Sequence, residues 1–259
     1  MLNVNIWLAN SAQKSIKLLY GFMILSILIC CVLFVDIGYG RDIHNNYLPT
    51  LILIPFGMIF MFGILTCLEK GDFSSKYIVY IALVLFAIQV YSTWNYYFYT
   101  DWDSSTLTMF ASAFAHGEDV SWLSWYFSRY PNNIFLGVIF AGIEKIVHCI
   151  GLHPLEYFSL IVVQCVIVSI TGVLLFKIII GLLDNETFAY LGYILYTLIV
   201  GLSPWVSIPY SDAIGLFFPT MIYYLYINRN KHKNSLVVWM NIAVFTWIGY
   251  KIKPQVIIL

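Results

Sequence analysis

IFLGVIFAGIEKIVHCI (Ile134–Ile150) is the stretch on which the fold of this chain turns. It is apolar enough to suggest a membrane crossing, yet it is short and carries Glu144, Lys145 and His148. With Gly137 and Ala141 these form one polar or small stripe at helical spacing, the pattern of an amphipathic helix lying in an interface. Whether the stretch crosses matters because every crossing inverts the side on which the chain continues.

The surroundings are those of a membrane protein. Of 259 residues, 61% are hydrophobic and 10% charged, against about 25% charged in soluble domains. The other apolar blocks run roughly over Leu18–Val35, Pro49–Leu68, Tyr77–Tyr97, Tyr157–Leu182, Phe188–Val206, Ala213–Ile227 and Leu236–Tyr250. A bilayer crossing needs roughly 20 such positions. Formal net charge is zero, so the basic surface that nucleic-acid binding requires is missing. Cys30, Cys31, Cys67, Cys149 and Cys165 show no CxxC pairing and mostly sit in apolar runs, which suits packed thiols rather than metal or disulfide chemistry. Lys14 and Lys17 precede an apolar run with no cleavage site after it, the pattern of a retained signal anchor.

Lysine and arginine placement orients the blocks. Lys14 and Lys17 put the N-terminus inside, and Lys70 and Lys76 in EKGDFSSK return the chain inside after two crossings. The third block then emerges into a long acidic external loop. NRNKHKN (Asn228–Asn234) carries Arg229, Lys231 and Lys233 and prefers the cytoplasm. Four apolar blocks separate that outside loop from this inside one, but only an odd number can cross. Ile134–Ile150 is the block expected not to cross. Lys177 then falls near the inner end of its helix, where it can snorkel.

The expected architecture is an all-α polytopic membrane protein with about seven transmembrane helices. An interfacial juxtamembrane helix lies in a large first external loop, residues 92–156. Residues 1–76 read as an N-terminal two-helix addition, and 77–259 as a transmembrane module whose last run, KPQVIIL, only begins a further span. The chain is expected to be the front part of a longer one. Asn185-Glu186-Thr187 has the glycosylation pattern, but it sits in a short inner loop and reads as chance.

Candidate chemistry clusters outside. NYYFYTDWDSS sets Asp101 and Asp103 just beyond the third span, amid an interfacial aromatic belt. A partly desolvated carboxylate there can serve as a general base; two loop-solubilising aspartates are the bland alternative. PYSD puts Asp212 at a helix start, as a cap or as a second acid facing the same outer cavity. Lys251 and Lys253 in KIKP are external cations, suited to a phosphate or to headgroup snorkelling. In SWYFSRYPNN, Arg129 offers a fork to phosphate, Tyr126, Phe127 and Tyr130 offer stacking faces, and Asn132 or Asn133 caps the next helix. HExxH, GxSxG, P-loop and Rossmann patterns are absent, and His44, His116, His148, His153 and His232 show no ligand spacing. No metal ligands are assigned.

The pattern DWDSSTLTMFASAFAHG, then YFSRYPNN, then PYSD and IKPQVIIL resembles bacterial integral-membrane glycosyltransferases of the GT-C class, related to the protein O-mannosyltransferase and aminoarabinose transferase families. The resemblance runs from about Tyr77 to the C-terminus, and YF-x-x-YPNN is its most specific part. It implies a polyprenyl-phosphate-linked sugar donor, a cell-envelope glycan or protein acceptor, and an essential Asp in the first external loop beside juxtamembrane helices. Asp103 fits that acid best, with Asp101 its rival, and Asp212 matches the second external acid. Arg129, Tyr130, Asn132, Asn133 and Lys253 are then the candidate substrate-binding residues. A divalent cation at the external acids is possible in such a site, and no cofactor is otherwise required. Two other readings stand beside it: a polysaccharide or lipid transporter, and a non-catalytic truncated fragment.

Overall fold

The structure is a computed structural model that describes residues 74–97, 99–231 and 234–255, with isolated positions 59, 63, 66, 70 and 71 before them. The first apolar block, most of the second and the signal-anchor lysines lie outside the described residues. Nearly all that is described belongs to one unit, Leu65–Leu259.

Every regular element among the described residues is helical. The apolar blocks give α1 (Ile78–Tyr96), α5 (Glu156–Leu183), α6 (Glu186–Tyr196), α7 (Ser211–Gly215), α8 (Phe217–Ile227) and α9 (Ser235–Ile252); the external region gives α2 (Asp103–His116), α3 (Ser124–Arg129) and α4 (Asn132–Cys149). Four helical stretches are long and apolar enough to cross a membrane: Ser75–Tyr96, Asn132–Cys149, His153–Leu183 and Ser235–Ile252. The block Phe188–Val206 yields only α6 and a π-helical turn, Thr197–Gly201, before Pro204 opens a new turn. Ala213–Ile227 is interrupted at Leu216, between α7 and α8.

Side-chain pairings fix the directions. Trp94 near the end of α1 packs edge-on against Phe158 at the start of α5, with centroids 4.9 Å apart, so the two run antiparallel. Asp184, at φ 48°, ends α5 in the left-handed region, which asparagine and aspartate tolerate better than most residues. Asn185 then caps α6 by accepting from the Phe188 amide at 3.0 Å. The apparent glycosylation triplet therefore has a structural role. Gly172 lets α6 approach α5, since a Cβ there would lie 2.9 Å from the Tyr193 ring. Gly181 of α5 faces Ile227 of α8 while Leu160 and Phe218 share a core cluster, so α5 and α8 run parallel. Phe217 meets Phe245 and Tyr226 meets Trp239, so α9 returns antiparallel. The ends of α1 and α9 therefore lie at the same end of the bundle as the starts of α5 and α8.

At that end sit α2 and α4, side by side and parallel. Their seam is held by small residues: a Cβ on Gly137 would come within 2.6 Å of the Phe110 ring and 3.1 Å of Leu107. Small residues that let backbones approach are how helices pack where no water is expelled. The stripe on α4 is thus corrected. Asn133, Leu136, Gly137, Phe140, Ala141 and Glu144 form its buried face, whereas Lys145 is exposed. The face turns to protein, in a core with Leu107, Ala111, Leu160, Ile214 and Ile252. The first turns of α4 share a groove with Tyr250 and Lys251 of α9, and its last turn reaches Glu156 of α5. Both ends of α4 therefore meet the same end of the bundle, although the helix is long and apolar enough to cross.

Candidate functional site

A cavity of about 580 Å³ opens at this end of the bundle, bounded by Trp102, Asp103, Ser104, Trp205, Tyr210 and Asp212 among others. Its shape depends on one residue that the sequence did not single out. Gln164, fully buried two turns into α5, donates its side-chain amide to the carbonyls of Ile208 (2.8 Å), Val206 (3.0 Å) and Trp205 (3.2 Å). Its oxygen accepts from the Tyr210 amide at 3.1 Å. A glutamine within an apolar helix is costly unless fully bonded, and that cost was the available signal. Ser104 adds a second tie, donating to the Pro209 carbonyl at 2.9 Å. The turn GLSPWVSIPYSD is thereby held against the starts of α2 and α5.

Asp103 opens α2 and is half-buried on the cavity wall. Tyr210 donates its hydroxyl to Asp103 Oδ2 at 3.2 Å. Burial first, and the neighbouring Asp103 charge second, push the Tyr210 phenol up from its ordinary value, so at neutral pH it remains a donor. Asp101 is exposed and lies outside the cavity lining, while Trp102 between them packs at a tilt against Trp205, with centroids 5.4 Å apart. The two candidate acids are thus separated by geometry.

The YPNN motif reaches the same place by a route different from the expected one. Neither asparagine caps α4, whose N-cap is Pro131 and has no side-chain cap bond. Instead Asn132 donates to Asn133 Oδ1 at 2.9 Å, and the buried Asn133 donates to the Tyr126 hydroxyl at 2.6 Å. Tyr126 in turn lies close enough to Asp103 and Tyr210 for their charges to act on its phenol. Burial, with the Asp103 charge adding to it, pushes the Tyr126 phenol up as well. Both asparagines are accounted for by this relay, Asn132–Asn133–Tyr126, which ends beside Asp103 and Tyr210.

Asp212 does not cap its helix either: it lies inside the first turn of α7 and forms an ion pair with Lys253. The Lys253 stem rests on Gly215, where an added Cβ would come within 3.1 Å. Lys253 is therefore a paired cation at the cavity rim. Lys251 is exposed, in a neighbouring groove of about 520 Å³ with Asn132, Phe135, Val138 and Tyr250. Arg129 and Tyr130 stay exposed at the end of α3. Tyr130 packs 5.1 Å from Tyr126, and Arg129 has no carboxylate partner among the described residues.

The histidines are the plainest correction. His116, His148 and His153, which looked scattered along the chain, converge on Glu156 at the far ends of α2 and α4. Chain spacing gave no hint, because the three come from different elements. Of the cysteines described, Cys165 is buried and Cys149 exposed, and both are free.

No known protein family, no curated protein and no solved structure matches this chain.

Proposed function

We propose that this chain is a bacterial integral-membrane glycosyltransferase of the GT-C type. It would move a sugar from a polyprenyl-phosphate-linked donor to a cell-envelope acceptor on the outer membrane face. One observation carries the proposal: DWDSS and PYSD are joined by the Tyr210–Asp103 hydrogen bond at a single cavity, and the YPNN motif is bonded to Tyr126, whose phenol feels the charge of Asp103 beside it. In the proposed topology seven helices cross, α4 lies in the outer interface, and the cavity opens outward. Support for the placing of α4 comes from its two ends meeting the same end of the bundle.

In the proposed reaction an acceptor hydroxyl attacks the anomeric carbon. The bond from that carbon to the phosphate oxygen breaks, and polyprenyl phosphate leaves with the electron pair. Asp103 takes the hydroxyl proton, and Tyr210 holds its carboxylate in place by the 3.2 Å bond to Oδ2. Lys253 at the rim and Lys251 in the adjoining groove are the nearby cations for the leaving phosphate, worth most where water is excluded. Phe135, Val138 and Tyr250 line that groove with apolar surface suited to the first prenyl units.

Asp103→Asn in the full-length protein, with transfer followed by mass analysis of envelope glycans, tests this directly. Loss of transfer is expected, while Asp101→Asn retains most of it. Retained activity in Asp103→Asn would remove the assignment. Under the transporter alternative, Asp103→Asn leaves glycan structure intact and alters only where the lipid-linked substrate accumulates.

A further inference from the structure

The far ends of α2 and α4 hold a second cluster, independent of the transferase proposal. His116 Nε2 lies 3.3 Å from Glu156 Oε2 and 3.2 Å from His148 Nδ1. His148 Nδ1 is 2.8 Å from Glu156 Oε1, and His153 Nδ1 is 3.0 Å from His148 Nδ1 and 3.3 Å from Glu156 Oε1. The potential ligand atoms of His116, His148 and Glu156 all fall within 4.8 Å of one another.

Hydrogen bonding alone does not account for this crowding. His116 Nδ1 faces the Ser112 carbonyl at 2.7 Å, and a carbonyl only accepts, so Nδ1 carries the proton. In the neutral ring Nε2 is then a bare lone pair, pointed at a carboxylate oxygen and at another imidazole nitrogen. His148 Nδ1 has three neighbours and at most one hydrogen to share among them. A buried carboxyl group stands behind: Glu144, one helical turn before His148, is 2% exposed, and its Oε2 has no hydrogen-bond partner among the described residues. It lies close enough to Glu156 and His116 for their charges to act on it. Lone pairs and carboxylates converging on one point call for a cation at that point.

The separations say which kind. Bonds of about 2.0–2.1 Å from zinc to histidine nitrogen or carboxylate oxygen set tetrahedral ligand atoms about 3.3 Å apart. The observed spacings run from 2.8 to 3.3 Å. Imidazole and carboxylate donors suit a borderline-soft divalent ion. The Ser112 carbonyl fixes the His116 tautomer as an outer-shell partner of a metal ligand does.

We propose that His116 Nε2, His148 Nδ1 and the Glu156 carboxylate bind one zinc-type divalent cation. The ligands come from the last turns of α2 and α4 and the first turn of α5, so the ion staples three helices together. Asp103 and Asn133 stand at the opposite ends of α2 and α4. Thirteen residues of helix separate Asp103 from His116, roughly 20 Å of rise, so the ion is remote from the cavity and acts by holding the helix pair that carries it.

The test uses the full chain in detergent, stripped with a chelator, reloaded with zinc or cobalt(II) alone, and desalted. About one equivalent of zinc per chain is expected by elemental analysis, with a visible d–d band for cobalt and a higher melting temperature after reloading. His148→Ala and Glu156→Ala should each lower retained metal by about tenfold or more. His116→Cys, which keeps a ligand, should retain it, and Lys145→Ala on the exposed side of α4 serves as the control. Helical circular dichroism and monodisperse elution establish that each variant is folded; a variant that fails is replaced by the corresponding His→Asn or Glu→Gln change. Zinc at background in the reloaded wild type, or equal retention in the folded ligand variants, overturns the proposal and leaves a proton-bridged histidine–glutamate network. None of these readouts depends on glycosyl transfer.

Discussion

The two ends of the α2–α4 pair are built on opposite principles. At one end, neutral donors and acceptors surround a single carboxylate: Tyr210 donates to Asp103, Asn132, Asn133 and Tyr126 form a bonded chain beside it, and each bond has an evident donor. At the other, three imidazoles and a carboxylate crowd together, with contacts of 2.8–3.3 Å between their nitrogens and oxygens. The first arrangement is complete as it stands and leaves an open cavity for a reactant. The second has room for the proposed cation. On the two proposals, one helix pair carries a reaction site at one end and an anchoring site at the other.

Substitutions can break or sharpen that contrast. The largest effect belongs to Asp103→Asn, expected to lower transfer by about 10²–10⁴-fold with little change in melting temperature; an unchanged rate in a glycan assay would end the role given to this end. Next is Gly137→Val in the seam between the ends, where the added carbons must displace Phe110. Overpacking of this kind costs about 1–3 kcal/mol, read as a lower melting temperature in detergent. No shift would mean the seam is loose and the two ends are uncoupled. Asn133→Leu leaves the Tyr126 hydroxyl without its 2.6 Å donor. It should cost about 1–3 kcal/mol and lower kcat more than it raises KM.

Smaller effects follow. Asp212→Asn removes the partner of Lys253 at an exposed rim, worth under about 1 kcal/mol of stability. A thermal shift larger than that would show the pair to be more than a rim contact. The last test is alkaline titration. Burial raises the Tyr210 and Tyr126 phenols above their ordinary value, which is about 10 in the unfolded chain. Below that pH both states are protonated and the tyrosines' contribution is constant. Above it the unfolded chain ionises first, so stability falls until the folded values are passed. Denaturation midpoints against pH should fall less steeply in Tyr126→Phe than in the wild type; equal slopes would remove the buried phenols from the account.

Legibility of the fold tracked how local each cause was. The third and fifth apolar blocks became α1 and α5 nearly at their expected bounds, because apolar length alone commits a segment to helix in a membrane. Phe188–Val206 and Ala213–Ile227 did not become unbroken helices, since Pro204 opens a new turn and Leu216 marks a break that hydropathy does not register. On α4 the polar and small stripe was visible, but its partner was not. Composition identifies a distinct face without saying whether headgroups or another helix will cover it. Asp212 and the YPNN asparagines looked like caps because capping is the commonest local use of such residues at a helix start. Partners distant in sequence claimed them instead: Lys253 for Asp212, and Tyr126 for Asn133.

By itself, the sequence determined the helical class, the membrane-scale apolar segments and the motifs from which the site is built. These depend on side-chain chemistry and spacing along one stretch of chain. Only the tertiary structure decided that Asp103 rather than Asp101 lines the cavity, that Gln164 holds its wall, and that His116, His148 and Glu156 stand within a metal's reach. The reason is distance along the chain. Gln164 and Ile208 are 44 residues apart, Tyr210 and Asp103 are 107 apart, and His116 and His148 are 32 apart. Such pairs are set by how whole helices pack.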